Sequence, residues 1–480
     1  MKKTPGKLPS AYPFSRLLLL LLTLLLTTGC QSYHSKPLNS RTVAQALATP
    51  SWHKLRVAVQ ATSLIQLPKT MLSPSQGLTP NRAAALALIL NPSLRAFRDL
   101  HGEASAQLLQ AGILSNPQLS ADTNFVTGGF RTNTFNAYGV GVSWNIRQLI
   151  DRQARIGAAH YQVKQVDLAV AWREWQIAQA ARLAVYAMAA AKTQLREALR
   201  SQSELGKVYT VARRASKMGL VTLFDLGLAL HASQQAQALV LASQQSLAES
   251  QVALAQAMGL PAGTTFTLSP SVRLPVTCRL PSVVLLEKKV ERRRLDLLAL
   301  HMGYQSQQER LRAAVLRQFP KVGIGFLQAS DANNVHTTGF GVTINLPIFD
   351  RNQGRIAQAR ATRQAIYDDY IARVFDARAD IGAAAVNIRA LRRRISQAQS
   401  GARQYKLLAQ RERRGLRTRN LDIGVYAAAV AQAEQARIQL VKLRYQLARN
   451  LIALELASGD TLAKPPMRRP VAAAAYGETR

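Results

Sequence analysis

Cysteine is nearly absent, with two residues in a chain of 480. That scarcity excludes a disulfide scaffold and any Cys-rich zinc or iron–sulfur site. Aromatic residues make up only 6%, little for a conventional large enzyme core. The seven histidines, at 34, 53, 101, 160, 231, 301 and 336, are scattered without metal-ligand spacing. Asp368 and Asp369 are adjacent and would diverge around a helix rather than clasp one ion. No Ser-His-Asp order, P-loop or Gly-rich dinucleotide fingerprint stands out, so the expectation is a protein without enzyme activity, cofactor or metal site. Acidic residues are also short, 26 against 62 Lys and Arg, for a net charge of +36. Charge alone would admit nucleic acid or an anionic membrane surface as partner, and chooses neither. What is present is 48% apolar content, which excludes wholesale disorder. Recurrent Ala and Gln suit long, closely packed helices.

The N-terminus points to export. Lys2, Lys3, Lys7 and Arg16 precede the apolar run Leu17 to Leu26, broken by Thr23 and followed by Thr27, Thr28, Gly29 and Cys30. A basic region, a short apolar core and small residues before a cut describe a signal peptide over 1–29, too short for an ordinary membrane span. A signal-anchor is the alternative. Cys30 after small residues resembles a bacterial lipoprotein cleavage box, with Thr27 at the usual aliphatic place, and Gln31 resembles an outer-membrane sorting choice. The expectation is a lipid on Cys30 and a lipid-anchored extension over 30–77. Removing 1–29 takes away four basic and no acidic residues, leaving +32. Export argues against nucleic acid. Runs such as Arg292-Arg293-Arg294, Arg392-Arg393-Arg394 and Arg411 to Arg414 then read as solvated helix faces.

Two similar halves follow, 78–262 and 283–459, separated by a Pro-marked linker at 263–282 and followed by a tail at 460–480. Each half reads as a helical segment of about 30 residues, two short alternating segments, a very long helical tract, a Gly break and a final helix. The alternating segments are expected at about 117–127, 137–146, 320–328 and 338–347. Leu119, Ala121, Thr123 and Phe125 share one face, against Ser120, Asp122 and Asn124. Val140, Val142, Trp144 and Ile146 alternate with Gly141, Ser143 and Asn145. The second half repeats this with Val322, Ile324 and Phe326, then Phe340, Val342, Ile344 and Leu346. A period of two with one apolar face fits a soluble sheet packed on helices or a lipid-facing, water-lined barrel. Four strands cannot close a barrel of useful bore, and open edges cannot sit in hydrocarbon. A barrel therefore requires several chains. The tracts at about 150–216 and 353–413 hold no proline, and about 60 residues at 1.5 Å rise make helices of about 90 Å. Val163, Val166 and Val170, and Leu440, Leu443, Leu447, Leu451 and Leu454, carry the three-four spacing of a coiled-coil seam.

From about 78 to 459 the chain resembles the TolC-type outer-membrane efflux factors. The resemblance rests on Leu78-Thr79, Ala84, Leu86, Ala87, Leu88, Asn91, Pro92 and Leu94, continued by Ala104, Gln107, Ala111, Gly112, Asn116 and Pro117. The strongest local string runs from Asn345-Leu346-Pro347-Ile348-Phe349-Asp350 through Arg351-Asn352-Gln353-Gly354-Arg355-Ile356. It looks most like the cobalt-zinc-cadmium outer-membrane factors, whereas Asn145 to Arg152 in the first half has lost its Pro and Asn-Gln-Gly. The high positive charge stands against carrying that heavy-metal subgroup over whole.

The resemblance implies a membrane β-barrel continued by a long α-helical coiled-coil barrel. A duplicated repeat in three chains would form one trimeric tunnel, twelve-stranded in the membrane. It also implies partners: outer-membrane lipid, a periplasmic membrane-fusion adaptor and an inner-membrane pump of the resistance-nodulation-division class. The protein would be the passive exit of a tripartite efflux system for metal cations or drugs. Gly219, Leu220 and Thr222, with Gly415, Leu416 and Thr418, would be the adaptor-docking tips. Asp225 and Asp422, with Arg417 and Arg419 beside the latter, would be the periplasmic gate. The alternative is an exported, non-conducting envelope scaffold or coiled-coil interaction protein.

Overall fold

The computed structural model describes residues 32–48, 77–129, 134–276, 280–417 and 423–461. The signal segment and Cys30 lie outside the described residues. Within the first unit, 1–48, the one described helix is α1 (Ser40–Leu47), closed at its start by reciprocal hydrogen bonds between Asn39 and Thr42.

In the second unit each repeat opens with two helices rather than one. These are α2 (Pro80–Leu90) and α3 (Pro92–Gly112) in the first, and α6 (Val283–Arg293) and α7 (Leu295–Leu316) in the second. The elbow of the first pair falls at Asn91-Pro92, where Pro at the first helical position brings no N–H and the Asn91 side chain accepts from Ser93 N. The second elbow has no proline. Arg294 breaks the helix in an extended conformation, donates Nε to Asp296 at 2.9 Å, and lies 5.2 Å over the Trp172 ring. It is buried, so the run Arg292 to Arg294 is not a wholly solvated face.

Four strands form one antiparallel sheet in the order β1-β2-β3-β4: β1 (Gln118–Asn124), β2 (Ala137–Asn145), β3 (Lys321–Ser330) and β4 (His336–Asn345). β1 ends short of the expected boundary because Asn124 pairs with Ala137, the first residue of β2, leaving Phe125 and Val126 no ladder partner. The β2–β3 pairing, from Tyr138–Ser330 to Asn145–Gly323, joins the two repeats.

The long helices are α4 (Arg147–Lys217) and α8 (Gln353–Arg417), followed by α5 (Leu223–Met258) and α9 (Ile423–Ser458). At 71 residues, α4 spans about 107 Å. Only Ile146 separates it from β2, and the Asn145 side chain accepts from Arg147 N. The corresponding junction before α8 is the Asn-Gln-Gly string. There Asn352 adopts φ 63°, its N–H donates to Asp350 Oδ1 at 2.8 Å, and its side-chain amide donates to the Ala314 carbonyl at 2.7 Å. Asn tolerates the left-handed region better than most residues, which gives this string a structural task.

Apolar burial falls into three regions. One packs α2 against α4 and α5, and takes in Phe266, Leu268 and Val272 of the linker. The linker is therefore docked, with Leu78 N donating to Thr267 O and Ser269 N to Leu78 O. The second region packs α6 to α9 and contains Leu443, Leu447 and Leu454, with Leu440 and Leu451 against it, as the seam spacing predicts. Val163, Val166 and Val170 are only half-buried. The third, at the far end of the long helices, is rich in alanine, which lets helix axes approach closely: Ala212, Ala229, Ala232, Ala236 and Ala427.

The last helix of each repeat ends on the elbow of its own repeat. Gly259 has φ 73°, and a Cβ there would lie 2.6 Å from Asn91 Cα and 2.7 Å from Pro92 Cδ. Gly459 has φ 65°, with Arg293 O at 2.7 Å and Arg294 Cα at 2.9 Å from the same position. Only glycine fits both the conformation and the approach. Gly259→Ala is expected to cost roughly 1–3 kcal/mol, seen as a lower thermal midpoint by helical circular dichroism. Gly227→Ala, in open space on α5, should be neutral or stabilising by up to about 1 kcal/mol.

Candidate channel surfaces and helical tips

The register sorts the sheet into two faces, because directly paired residues share a face. One carries Leu119–Val142–Phe326–Phe340, Trp144–Ile324–Val342 and Val322–Ile344. Most of it is exposed on the protomer, Leu119 at 72% and Phe340 at 74%. The other carries Ser120–Gly141–Leu327–Gly339, Ser143–Gly325–Gly341 and Asn145–Gly323–Thr343. That polar, small-residue face lines a trough of about 810 Å³ reaching down to Gln148. Within the strands the alternation sorts the residues onto the expected faces, whereas Phe125, Ile146 and Leu346, expected on the apolar face, lie past the strand ends. Among the described residues, outer strands β1 and β4 each present an unpaired edge.

Directly beneath the sheet lies a buried carboxylate that sequence reasoning missed. Asp151, near the start of α4, accepts from Arg155 Nε at 3.0 Å and from Arg317 Nε, past the end of α7, at 2.6 Å. It pins one repeat to the other where strands become helices. The available signal was its place in the Asn145 to Arg152 string, the counterpart of the string ending in Asp350, which is exposed. Two further ionic ties join α4 to α9. Glu455 takes Arg182 and Gln179 in a buried group. Lower down, Arg437 Nη1 lies 2.6 Å from Glu434 Oε1 and 3.8 Å from Glu197 Oε2, with Arg200 at 3.4 Å from the same Glu197 oxygen.

At the far end, the α4–α5 turn is built as the Gly-Leu pattern implies. Gly219 has φ 69°, Gly219 N donates to Ser216 O and Leu220 N to Ala215 O, closing the helix end. Thr222 Oγ1 then accepts from Asp225 N at 3.1 Å, and Asp225 Oδ2 accepts from Thr222 N and Oγ1 at 3.3 and 2.6 Å. Asp225 thus caps its own helix. Around this turn Leu220, Leu223 and Phe224 are exposed at 72%, 81% and 74%. The last two were not singled out from sequence, although both follow Thr222 directly. The second tip differs. α8 runs on to Arg417, so Gly415 is helical and half-buried rather than at a turn. Thr418, Arg419 and Asp422 lie outside the described residues, and Leu416 and Arg417 are described only in their backbone.

Solved structures share this architecture. The outer-membrane channel OprN superposes with a TM-score of 0.69 at 17% identity, over 82% of this chain and 92% of that one. CusC, whose structures concern transmembrane channel formation, gives 0.66 at 19% identity over 80% and 93%. The outer membrane protein VceC from Vibrio cholerae gives 0.66 at 17% over 80% and 97%. The chain shares the fold of these solved channel structures. Residues 286–460 also match the family model for outer membrane efflux proteins, which covers the second repeat from α6 through α9. No curated protein sequence matches the chain. Among the described residues no helix is long and apolar enough to cross a membrane. Among them, too, no three His, Cys, Asp or Glu are grouped to hold a metal ion.

Burial raises the Glu434 carboxyl above the ordinary carboxylate value, Arg437 pulls it back, and Glu197 adds to the rise. A folded-state value above the unfolded one costs stability once pH exceeds both, and the cost fades as pH falls through them. Glu434→Gln should therefore be at least as stable as the parent at pH 7 in denaturant titrations, with its relative advantage lost by pH 4. A relative advantage that grows on acidification would contradict this.

Proposed function

We infer that the chain is the outer-membrane exit channel of a tripartite efflux system. It acts as a homotrimer and passively conducts small solutes delivered by an inner-membrane pump through a periplasmic adaptor. The observation that carries this reading is the two-faced sheet. An exposed apolar face, a polar Gly-rich face and two open edges suit lipid outside, water inside and neighbouring strands at both edges. Three copies would supply twelve strands, enough for a water-filled lumen where eight are filled by side chains. The fold match and the efflux family match over the second repeat favour this over a non-conducting scaffold, which needs no such sheet. Nothing in the reading requires catalysis.

The periplasmic tips are the docking ends. Leu220, Leu223 and Phe224 give the adaptor an apolar knob at the first tip, with Gly219 and Thr222 shaping it, and Gly415, Leu416 and Thr418 serve at the second. Asp225 and Asp422, with Arg417 and Arg419, are proposed as the gate, although the Asp225 carboxylate already works as a helix cap. Cys30 is the proposed lipid anchor, with outer-membrane lipid around the barrel. The pump is of the resistance-nodulation-division class, and the cargo is metal cations or drugs. The heavy-metal resemblance rests on the Asn345 to Ile356 string, which serves the strand-to-helix junction, so cargo is better sought in the pump.

The purified mature protein should migrate as a heat-modifiable trimer and conduct in planar bilayers. Arg417→Ser with Arg419→Ser should raise single-channel conductance if those residues latch the tip, and unchanged conductance would sink the latch. Leu220→Asp should abolish adaptor-dependent efflux while leaving trimer and conductance intact. A trimer that stays silent even with both arginines replaced would favour the scaffold.

A further inference from the structure

In a chain of net charge +36, the four strands carry one carboxylate, Asp122, and one Lys or Arg, Lys321. Alternation puts both on the polar face, Asp122 between Ser120 and Asn124, and Lys321 in line with Gly323 and Gly325. Asp122 lies opposite Gly139, and a Cβ on that glycine would stand 2.8 Å from Asp122 Oδ1. The carboxylate thus reaches sideways along the polar face into space that Gly139 leaves empty.

The two charges sit at opposite ends. Lys321 begins β3 beside Asn345, where the strands meet the helices. Asp122 is level with Gly139 and, across it, with Ala329, towards the hairpin loops. Eight residues separate Ala329 from Lys321, about 26 Å of strand at about 3.3 Å per residue. Barrel strands tilt by about 35–45°, leaving about 20 Å along the axis. The screening length is about 10 Å at 0.1 M salt, so the two charges do not cancel, and each acts mainly at its own end, beside Asp331 at the loop end and beside Arg147, Asp350 and Arg351 at the helix end.

We propose that the barrel lumen is bipolar: three Asp122 carboxylates make its outer mouth select cations, and three Lys321 ammonium groups make its helix-side end select anions. This rests on the trimeric, water-lined barrel reading. A solute of either sign then meets one favourable and one unfavourable ring, so the barrel does not sort outgoing cargo by charge. Small anions arriving from outside meet the carboxylates first and are disfavoured.

The test reads local potential without needing current. Ser120→Cys, beside Asp122, and Thr343→Cys, beside Lys321, are introduced into the detergent-purified protein. Each is reacted with a cationic, an anionic and a neutral thiol reagent, and rates are corrected for the chain without the added cysteine. A unit charge about 6 Å away in water at 0.1 M salt shifts the cationic-to-anionic rate ratio about threefold. Asp122→Asn should lower the ratio at Ser120→Cys about threefold, and Lys321→Gln should raise it at Thr343→Cys by a similar factor. Both effects should vanish at 1 M salt, with the neutral reagent unaffected. Ratios unchanged by the charge removals would overturn the proposal. If Ser120→Cys reacts no faster than Val342→Cys on the apolar face, the water-lined barrel itself fails.

Discussion

The constraint on which the rest depends is that backbone amides and carbonyls have no water to bond in hydrocarbon, so a sheet placed there must have no open edge. This chain makes a sheet with two. β2 and β3 satisfy each other across the join of the repeats, while β1 and β4 face outward with nothing among the described residues to pair them. Duplication doubled the number of strands from two to four and still left the sheet open. In the proposed membrane channel closure is therefore a property of an assembly, and the long helices beneath have to hold several sheets in register.

That demand explains where the buried charges lie. Asp151 links α4 to the end of α7 just below the strands, and Glu455 and Glu197 link α4 to α9 further down. All three cross from one repeat to the other, where an apolar seam between two helices of about 3.5-residue periodicity could slip by a turn at small cost. An ion pair with fixed partners disfavours such slippage, because breaking one buried pair leaves its remaining charge uncompensated. The glycines at 259 and 459 do the complementary task within each repeat by seating the last helix on the first elbow.

The large features were legible in the sequence because they are periodic. Period two gave both faces of the sheet, and a long stretch without proline gave each tall helix to within a few residues. Leu443, Leu447 and Leu454 were legible as a seam from spacing alone. What was not legible depends on contacts between distant segments. The elbow at Arg294 has no proline to mark it, since its break is held by Asp296 and the Trp172 ring. The end of β1 is set by where β2 begins. Gly415 looked equivalent to Gly219, yet glycine is compatible with both helix and turn, and α8 continues through it. Asp225 was legible as a polar residue near a tip, but its hydrogen bonds to Thr222 are local, a choice between cap and gate that spacing does not make.

The charge follows the architecture. α5 contains no Lys or Arg, and the strands contain one, whereas α8 carries Arg392, Arg393 and Arg394 on exposed positions and more towards its end. Half of the positive excess is thus carried by the tall helices α4 and α8, and little of it lies in the sheet. In the proposed trimer these helices are brought together in triplicate, and their mutual repulsion opposes tight closure of the lower end. Within one protomer that end is held by short-ranged packing, the alanine-lined contacts around Ala212, Ala232 and Ala427. Repulsion between exposed charges weakens with salt while close packing does not. Packing within each protomer at that end is therefore insensitive to salt, whereas repulsion between the protomers of the proposed trimer would fade as salt rises.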